Sequence, residues 1–284
     1  MAPPHQTASG TVTESPLVLI DVVTDQNVVG HSIVFTYTTA VLKPTAELVQ
    51  NLAPLIEREA LAPAAIEQKL ARRFRLLGTQ GLVGMALAGI DMALWDALAR
   101  VHNISLVSLL GGSARPVPAY GAVGYDGETE SAKVAEDWVR RGFTGIKAKV
   151  GYSTVAQDLA VIRAIRSAVG RDAAIMVDYN QTLTPAEAVE RLRQVEEEGL
   201  TWIEEPTLAH DYRGHAHIAA EIRTDSVRRK LVGRARHATR HRGGRQRLYD
   251  ARRDEDWGCN GLDAGSRVGR GSRHSPFEPS VAGD

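Results

Sequence analysis

Three short apolar runs, each ending in charged residues, constrain this chain more than any other feature of its sequence. They read FTGIKAKVGY from Phe143, MVDYNQ about 30 residues later, and WIEEP about 25 residues after that. Two segments with helical periodicity separate the runs. This rhythm predicts a βαβαβ arrangement. In a parallel α/β barrel the ends of such strands converge on one face, and that face is where the chemistry is located.

The size and composition of the chain fit one α/β barrel or two ordinary domains. It has 284 residues, 43% of them hydrophobic, and no formal net charge at pH 7. Whole-chain charge therefore indicates neither a nucleic acid nor a membrane as partner. Cys259 is the only cysteine, which predicts a reducing, cytoplasmic location without disulfides. No apolar run approaches the length of a membrane span and no secretory signal is recognisable, so we expect no membrane partner.

The order of the predicted elements divides the chain into three parts. Residues 1–113 are expected to begin with a polar loop over 1–16 and to continue with an antiparallel hairpin and helices, the strongest being Leu82–Val101. Residues 114–223 alternate strands with helices and predict four βα units, with Ser131 capping one of the helices. Residues 224–284 carry an excess of about six positive charges without any period, and this composition predicts a disordered tail.

Two lysines lie at the end of the first apolar run. Lys147 and Lys149 are two residues apart on one predicted strand, so both side chains point to the same face. Two neighbouring ammonium groups disfavour each other's protonation, which helps one of them to act as a base near neutral pH. Taken alone, the pair is more often two solvated lysines on an exposed strand.

Carboxylates end the next two predicted strands. Asp178 follows a continuous apolar run, Asn180 points the same way, and Glu204 ends the strand after it. A carboxylate from each of two adjacent strands suits Mg²⁺, which takes oxygen ligands and keeps some waters. Ion pairs or helix caps would explain either acid separately. The lysine pair, Asp178 with Asn180, and Glu204 follow one another at intervals of one βα unit. Together these three signals favour a functional site.

These segments carry a resemblance to a known family. GIKAKVGY, MVDYNQTL and TWIEEPTLAHDY, with GIDMALWDAL upstream, resemble the mandelate racemase branch of the enolase superfamily over about residues 6 to 224. The resemblance implies an α/β fold in which an α+β capping domain precedes a (β/α) barrel. It also implies a Mg²⁺ cofactor, a small 2-hydroxy carboxylate substrate and homo-oligomers. Enzymes of this superfamily use a Lys or His base and Mg²⁺ to stabilise an ene-diolate intermediate.

The resemblance assigns a role to each candidate residue. Lys149 resembles the base that abstracts the proton α to the carboxylate, and Lys147 its neighbour that contacts the substrate carboxylate. Asp178 and Glu204 resemble two of three Mg²⁺ ligands. Asn180 resembles a polar group beside the metal.

Several family segments do not appear in the frame of this chain. They are a third metal-ligand Glu in GENW, an Asp in PDAMKIGG and a His in SSHL. Suitable codons for Arg228–Leu231, Asp254–Gly261 and Arg273–Val281 would read, after a one-base shift, as GENW, MKIGGVTG and GIPHSSHL. We therefore hypothesise a frameshift near Thr224–Asp225, which the coding DNA would test.

The departures lower the activity expected of this chain. It begins inside the family's mobile substrate loop, and Gly124 offers no side chain near where the family presents a hydroxyl. With only the first half of a barrel, we expect weakened Mg²⁺ affinity because the third ligand is absent. We also expect no measurable racemisation, because only the side of the intermediate that faces Lys149 retains a base.

Two other functions are compatible with parts of the sequence. A sugar-acid dehydratase of the same superfamily would use the same metal and base. A nucleic-acid-binding protein would use the basic tail, but the shifted frame explains the arginines without such a role, so nucleic acid is not the expected partner. His210 and His215 follow WIEEPTLA and are predicted to be surface groups.

Overall fold

The computed structural model describes residues 5–8, 10–223 and 226–227. The hypotheses about a disordered and frameshifted tail therefore lie outside the described residues, apart from 226–227. The strands are β1 His5–Thr7, β2 Gly10–Val12, β3 Leu17–Val23, β4 Val29–Phe35, β5 Gly121–Val123, β6 Gly145–Lys149, β7 Ala174–Asp178, β8 Trp202–Glu204 and β9 Ser226–Val227. The helices are α1 Leu42–Leu52, α2 Pro63–Arg73, α3 Leu82–Val101, α4 Leu106–Leu109, α5 Gly127–Arg140, α6 Val155–Val169, α7 Pro185–Val195 and α8 Tyr212–Glu221.

The first third is built on the antiparallel hairpin β3–β4, which packs against α3. The approach is close because both partners use small residues. A Cβ added to Gly30 on β4 would lie 2.1 Å from the backbone oxygen of Ala93 on α3, and one added to Gly89 would lie 2.5 Å from Cδ1 of Ile20. The opposite face of the hairpin is exposed, with Leu19 74% and Val23 65% accessible.

Helix α3 is the core element of this region. Helices α1 and α2 pack on it through Leu52, Ile66 and Leu70. By length and composition α3 is the one described helix that could cross a membrane, but most of it is buried inside the fold. This burial is typical of a core helix. The expectation that no apolar run approaches membrane-spanning length was wrong for this segment, and the absence of a membrane partner stays a prediction.

The second region is a parallel sheet in the order β5-β6-β7-β8-β9. Side chains alternate between its two faces, as the period of a strand requires. The outward set, which includes Ile146, Ile175 and Ile203, is fully buried in one core with helices α5 to α8. The inward set carries the candidate site. The predicted α/β class, with an antiparallel and helical region before a parallel barrel-type sheet, is confirmed.

The helices that alternate with these strands begin where sequence signals place them. Thr154 and Gln157 form a capping box at α6, and Thr184 and Glu187 form another at α7, with Pro185 at the first helical position. Each box satisfies backbone N–H groups that the first helical turn leaves without partners. From the sequence alone, Ser153 or Thr154 could cap α6 and Thr184 is expected to cap α7; the structure places the caps at Thr154 and Thr184.

The edge strand β5 has an unusual side-chain partner. The indole Nε1 of Trp138, on α5, donates a 2.9 Å hydrogen bond to the carbonyl oxygen of Ala122. The indole lies so close to the strand that a Cβ on Gly121 would be 2.2 Å from its Cγ. Glycine at this position is therefore what lets the ring lie against the strand.

Three local predictions were wrong. Residues 1–16 were expected to form a loop, but His5–Thr7 pairs with Gly10–Val12 in a short antiparallel ladder. The tail after residue 223 was expected to be disordered, but Ser226–Val227 adds a fifth strand beside β8 to the four within residues 114–223. Ser131 does not cap α5; it lies fully buried inside the helix, which begins at Gly127. In each case backbone pairing or packing decided the conformation where local side-chain patterns were weak. The division at 113/114 and 223/224 stays a prediction.

Candidate active site

The candidate site is a row of residues at the carboxyl ends of three neighbouring strands. In the parallel ladders Lys149 on β6 is the register partner of Asp178 on β7, and Asp178 is the partner of Glu204 on β8. Register partners in a parallel sheet point to the same face. The amine and the two carboxylates are therefore neighbours at one end of the sheet.

Lys147 lies one layer deeper on β6 and contacts both carboxylates. Its side chain is buried, and Nζ lies 2.8 Å from Oε2 of Glu204 and 3.6 Å from Oδ2 of Asp178. The Tyr120 ring centroid is 5.6 Å from the same nitrogen. Buried charges persist only when they are paired in this way. One ammonium between two carboxylates leaves the group with a formal charge of −1, which favours the binding of a further cation.

The second lysine has a different environment. Lys149 is only partly buried, and its Nζ donates a 3.1 Å hydrogen bond to Oδ1 of Asn180. One contact of Lys149 is thus with a neutral amide, whereas Lys147 contacts two carboxylates. The two amines are therefore not equivalent: Lys147 serves the charge balance of the buried acids, and Lys149 lies nearer to solvent.

The backbone beyond β7 and β8 is strained. Asn180, Gln181 and Glu205 have φ angles of 47°, 67° and 46°. These left-handed conformations cost about 1–3 kcal/mol each for residues other than glycine and occur preferentially at functional sites. Gln181 holds the segment by donating from its backbone N to Glu205 O at 2.8 Å and from Nε2 to Glu205 Oε1 at 3.2 Å. Ala209 N donates to Gln181 Oε1 at 2.9 Å.

Sequence reasoning did not select Gln181 or Glu205. Both directly follow the site residues, and this position was the only signal that could have indicated them. His215 was also misjudged: it is 1% exposed rather than a surface group, because α8 turns Gly214, His215 and Ile218 toward the interior. His210 is exposed, as predicted.

The donor set at the strand ends fits Mg²⁺. Within the described part of the chain, no cluster of three or more His, Cys, Asp or Glu residues could hold a metal. Asp178 and Glu204 therefore provide two carboxylates and no third. Protein Mg²⁺ sites often use one or two carboxylates and complete the coordination with water or substrate oxygens. These two residues, with the amide of Asn180 nearby, would hold the ion.

Comparison with known proteins identifies the family. Residues 1–111 match the family described as "Mandelate racemase / muconate lactonizing enzyme, N-terminal domain", and residues 130–237 match "Enolase C-terminal domain-like". A solved enolase from Bradyrhizobium, complexed with magnesium and mandelic acid, is 37% identical. It aligns with a TM-score of 0.86 over 95% of this chain and 75% of that one. The chain belongs to the enolase superfamily.

Relatives within the superfamily differ in their reactions. Arabinonate dehydratase from Saccharolobus solfataricus is 30% identical over 68% of this chain and 52% of its own length. L-talarate/galactarate dehydratase from Salmonella typhimurium is 36% identical over 52% of this chain and 38% of its own length. Its solved structure with Mg and L-lyxarohydroxamate has a TM-score of 0.78. The chain spans about half the length of the curated relatives it matches.

These relatives confirm the predicted superfamily and leave its mandelate racemase branch a prediction. Homologous structures contain magnesium, which supports Mg²⁺ as the cofactor of the family. The structure brings together all five residues selected from the sequence: Lys147, Lys149, Asp178, Asn180 and Glu204. Their individual catalytic roles stay predictions.

Proposed function

We propose that this chain carries the base and metal side of a Mg²⁺-dependent site that abstracts the proton α to the carboxylate of a small 2-hydroxy acid, as in mandelate racemase-type enzymes. The register row of Lys149, Asp178 and Glu204 carries the proposal. A proton α to a carboxylate is very weakly acidic. Its removal therefore needs a positioned base next to groups that stabilise the developing negative charge.

Each residue has a distinct task in this proposal. Lys149 accepts the proton at Nζ, and its bond to Asn180 orients the amine. Lys147 presents its ammonium to the substrate carboxylate. Asp178 and Glu204 hold Mg²⁺, which when bound supplies electrostatic stabilisation of the charge that develops on the substrate.

Mg²⁺ binding by this chain is proposed to be weak. The described residues offer two carboxylates at the site, and the buried ammonium of Lys147 already neutralises part of their charge. Racemisation also needs a base on the opposite face of the planar intermediate, and Lys149 supplies only one. We therefore expect weak Mg²⁺ binding and no measurable racemisation. A cytoplasmic location is part of the same proposal.

Calorimetric titration with Mg²⁺ tests the metal part. We expect millimolar binding that is lost in Asp178→Asn and in Glu204→Gln. Asp172→Asn is the matched control, because Asp172 is exposed and lies beside the opposite end of β7. The proposal is contradicted if the two site variants bind Mg²⁺ as the unmodified chain does. Tight binding by the unmodified chain would contradict the weakened affinity.

A sugar-acid dehydratase is the second candidate, favoured by the dehydratases among the relatives. Deuterium exchange at the α-carbon, followed by NMR in D₂O with Mg²⁺ present, separates the two because it requires only one base. Exchange into mandelate would favour the first function, and exchange into a sugar acid such as galactarate the second. Exchange that persists unchanged in Lys149→Met would contradict both.

A further inference from the structure

A buried carboxylate outside the site connects the two segments that hold Lys149 and Asn180. Asp158 lies in the first turn of α6 and is fully buried. Its Oδ1 accepts hydrogen bonds from the backbone N–H groups of Gly151 at 2.9 Å and Tyr152 at 2.8 Å. These residues follow Lys149 almost directly. One oxygen of Asp158 thus fixes the path of the chain as it leaves β6.

The other oxygen of Asp158 reaches the segment beyond β7. Oδ2 accepts from the hydroxyl of Tyr179 at 3.1 Å and from Nη1 of Arg191 at 3.0 Å. Tyr179 is fully buried and lies in the sequence between Asp178 and Asn180.

Further contacts tighten the same cluster. Arg191 also donates from Nη1 to the carbonyl oxygen of Tyr152 at 2.7 Å. The hydroxyl of Tyr125 donates to the carbonyl oxygen of Gly151 at 3.2 Å, and the Tyr125 and Tyr152 rings stack at 4.0 Å. The segment after Lys149 is therefore held by Asp158 on α6, by Arg191 on α7 and by Tyr125 in the loop before α5. Asp158 also binds Tyr179.

We infer that Asp158 is a positioning residue that sets the distance between Lys149 and Asn180 by fixing Gly151–Tyr152 and Tyr179 at the same time. Its importance for catalysis rests on the proposed function, in which Lys149 is the base. The Asp158 carboxylate is buried and its partner Arg191 is 18% exposed; an ion pair of this kind adds little net stability compared with well-packed apolar residues. Support of the fold alone therefore does not explain a carboxylate that accepts four hydrogen bonds at this point.

The test measures how accessible Lys149 is, without metal or turnover. The full chain is acetylated briefly at pH 7, and mass spectrometry gives the ratio of modified Lys149 to modified Lys133, an exposed lysine on α5. Asp158→Asn keeps the shape of the side chain but removes its charge and two acceptor positions. We expect the ratio to rise about threefold to tenfold, since one or two lost hydrogen bonds correspond to that range. Tyr179→Phe removes one of the four donors and should raise the ratio about twofold.

Ile162→Val is the matched control for loss of stability. Ile162 is fully buried on the same helix and packs in the apolar core. This variant should lower the thermal midpoint but leave the Lys149 to Lys133 ratio unchanged. If Asp158→Asn does not unfold cooperatively, Tyr179→Phe decides the question.

Two results would overturn the inference. One is a ratio that does not change in Asp158→Asn or in Tyr179→Phe. The other is an equal rise in Ile162→Val at the same loss of thermal midpoint. Neither result bears on Mg²⁺ binding, so the proposed function would remain. Conversely, the ratio could rise in Asp158→Asn while Mg²⁺ binding stays unchanged in the Asp178 and Glu204 variants. That result would support the positioning role and contradict the proposed function.

Discussion

Helices cover strands in both halves of this molecule, but the two halves use opposite kinds of side chain. In the first third, α3 approaches the hairpin through glycine and alanine, and the backbone of one element contacts the other at Gly30 and Ala93. In the parallel sheet, α5 to α8 are held away from the strands by large side chains such as Ile146 and Ile175, which fill one core. The contact between α3 and the hairpin leaves no room for larger side chains. The contact between the helices and the parallel sheet depends on large side chains that fill the core.

This difference predicts opposite sensitivities to mutation. Close packing leaves no room for an added methyl group, whereas a core of large side chains loses stability when atoms are removed. The inner face of the parallel sheet adds a third behaviour, because Lys147, Asp178 and Glu204 are buried there and their charges depend on one another.

Removing volume from the parallel sheet should have the largest effect. Ile175→Ala deletes part of a fully buried side chain and is expected to lower the free energy of unfolding by about 2–5 kcal/mol. Leu19→Ala, on the exposed face of the hairpin, should change it by less than about 0.5 kcal/mol. Urea denaturation measures both. Equal losses in the two variants would contradict the comparison.

Adding volume to the hairpin contact should have the next largest effect. The Cβ of Gly30→Ala would lie 2.1 Å from a backbone oxygen, and overpacking of this kind costs about 1–3 kcal/mol. Hydrogen exchange should speed up in α3 and leave β7 protected. Gly78→Ala is the control in the same region, because nothing lies within 4 Å of the added Cβ. Its φ of +90° is unfavourable for alanine, but hydrogen exchange in α3 should stay unchanged.

Changing charge on the inner face should affect metal binding more than packing. Lys147→Met keeps the length of the side chain and removes the ammonium 2.8 Å from Glu204. Mg²⁺ would then meet two carboxylates without a competing cation, and its affinity should rise about tenfold. Lys149→Met should give a smaller gain, because Lys149 is only partly buried and solvent screens its charge more than that of the buried Lys147. Calorimetry showing no gain for Lys147→Met would exclude competition between this ammonium and the metal.

The smallest predicted effect concerns the cap of α7. Hydrogen bonds from the Thr184 side chain and backbone lower the pKa of Glu187 below its usual value. A lowered pKa in the folded state stabilises the protein above the ordinary carboxyl pKa, and this contribution disappears as the pH falls through the lowered value. The difference in thermal midpoint between the unmodified chain and Glu187→Gln should therefore shrink between about pH 5 and pH 3. A difference that is independent of pH would contradict the role of the charge.

The sequence predicted those parts of the fold that local chemistry decides. The capping box at Thr184 gives a helix start, and the period of two places Lys147 and Lys149 on one face. The strand ends at Asp178 and Glu204 were predictable because buried parallel strands read as continuous apolar runs that stop at charge.

Long-range pairing was not predictable in the same way. Ser226–Val227 forms a strand only because β8 offers it partners, and no periodic pattern marks it. Asp158 lies in the first turn of a helix, where acidic residues are common, so nothing local indicates that its carboxylate reaches both Gly151 and Tyr179. His215 was misassigned for a related reason, since burial depends on which face of α8 packs against the sheet.

The indole of Trp138 covers part of the β5 edge of the described parallel sheet. An edge strand normally offers its carbonyl and amide groups to any extended chain that approaches. Here one acceptor on β5 is already satisfied from the side, by a ring that rests against the bare backbone of Gly121. An incoming strand would have to displace that ring and replace its hydrogen bond before it could pair with β5. Strand addition at this edge is therefore selective.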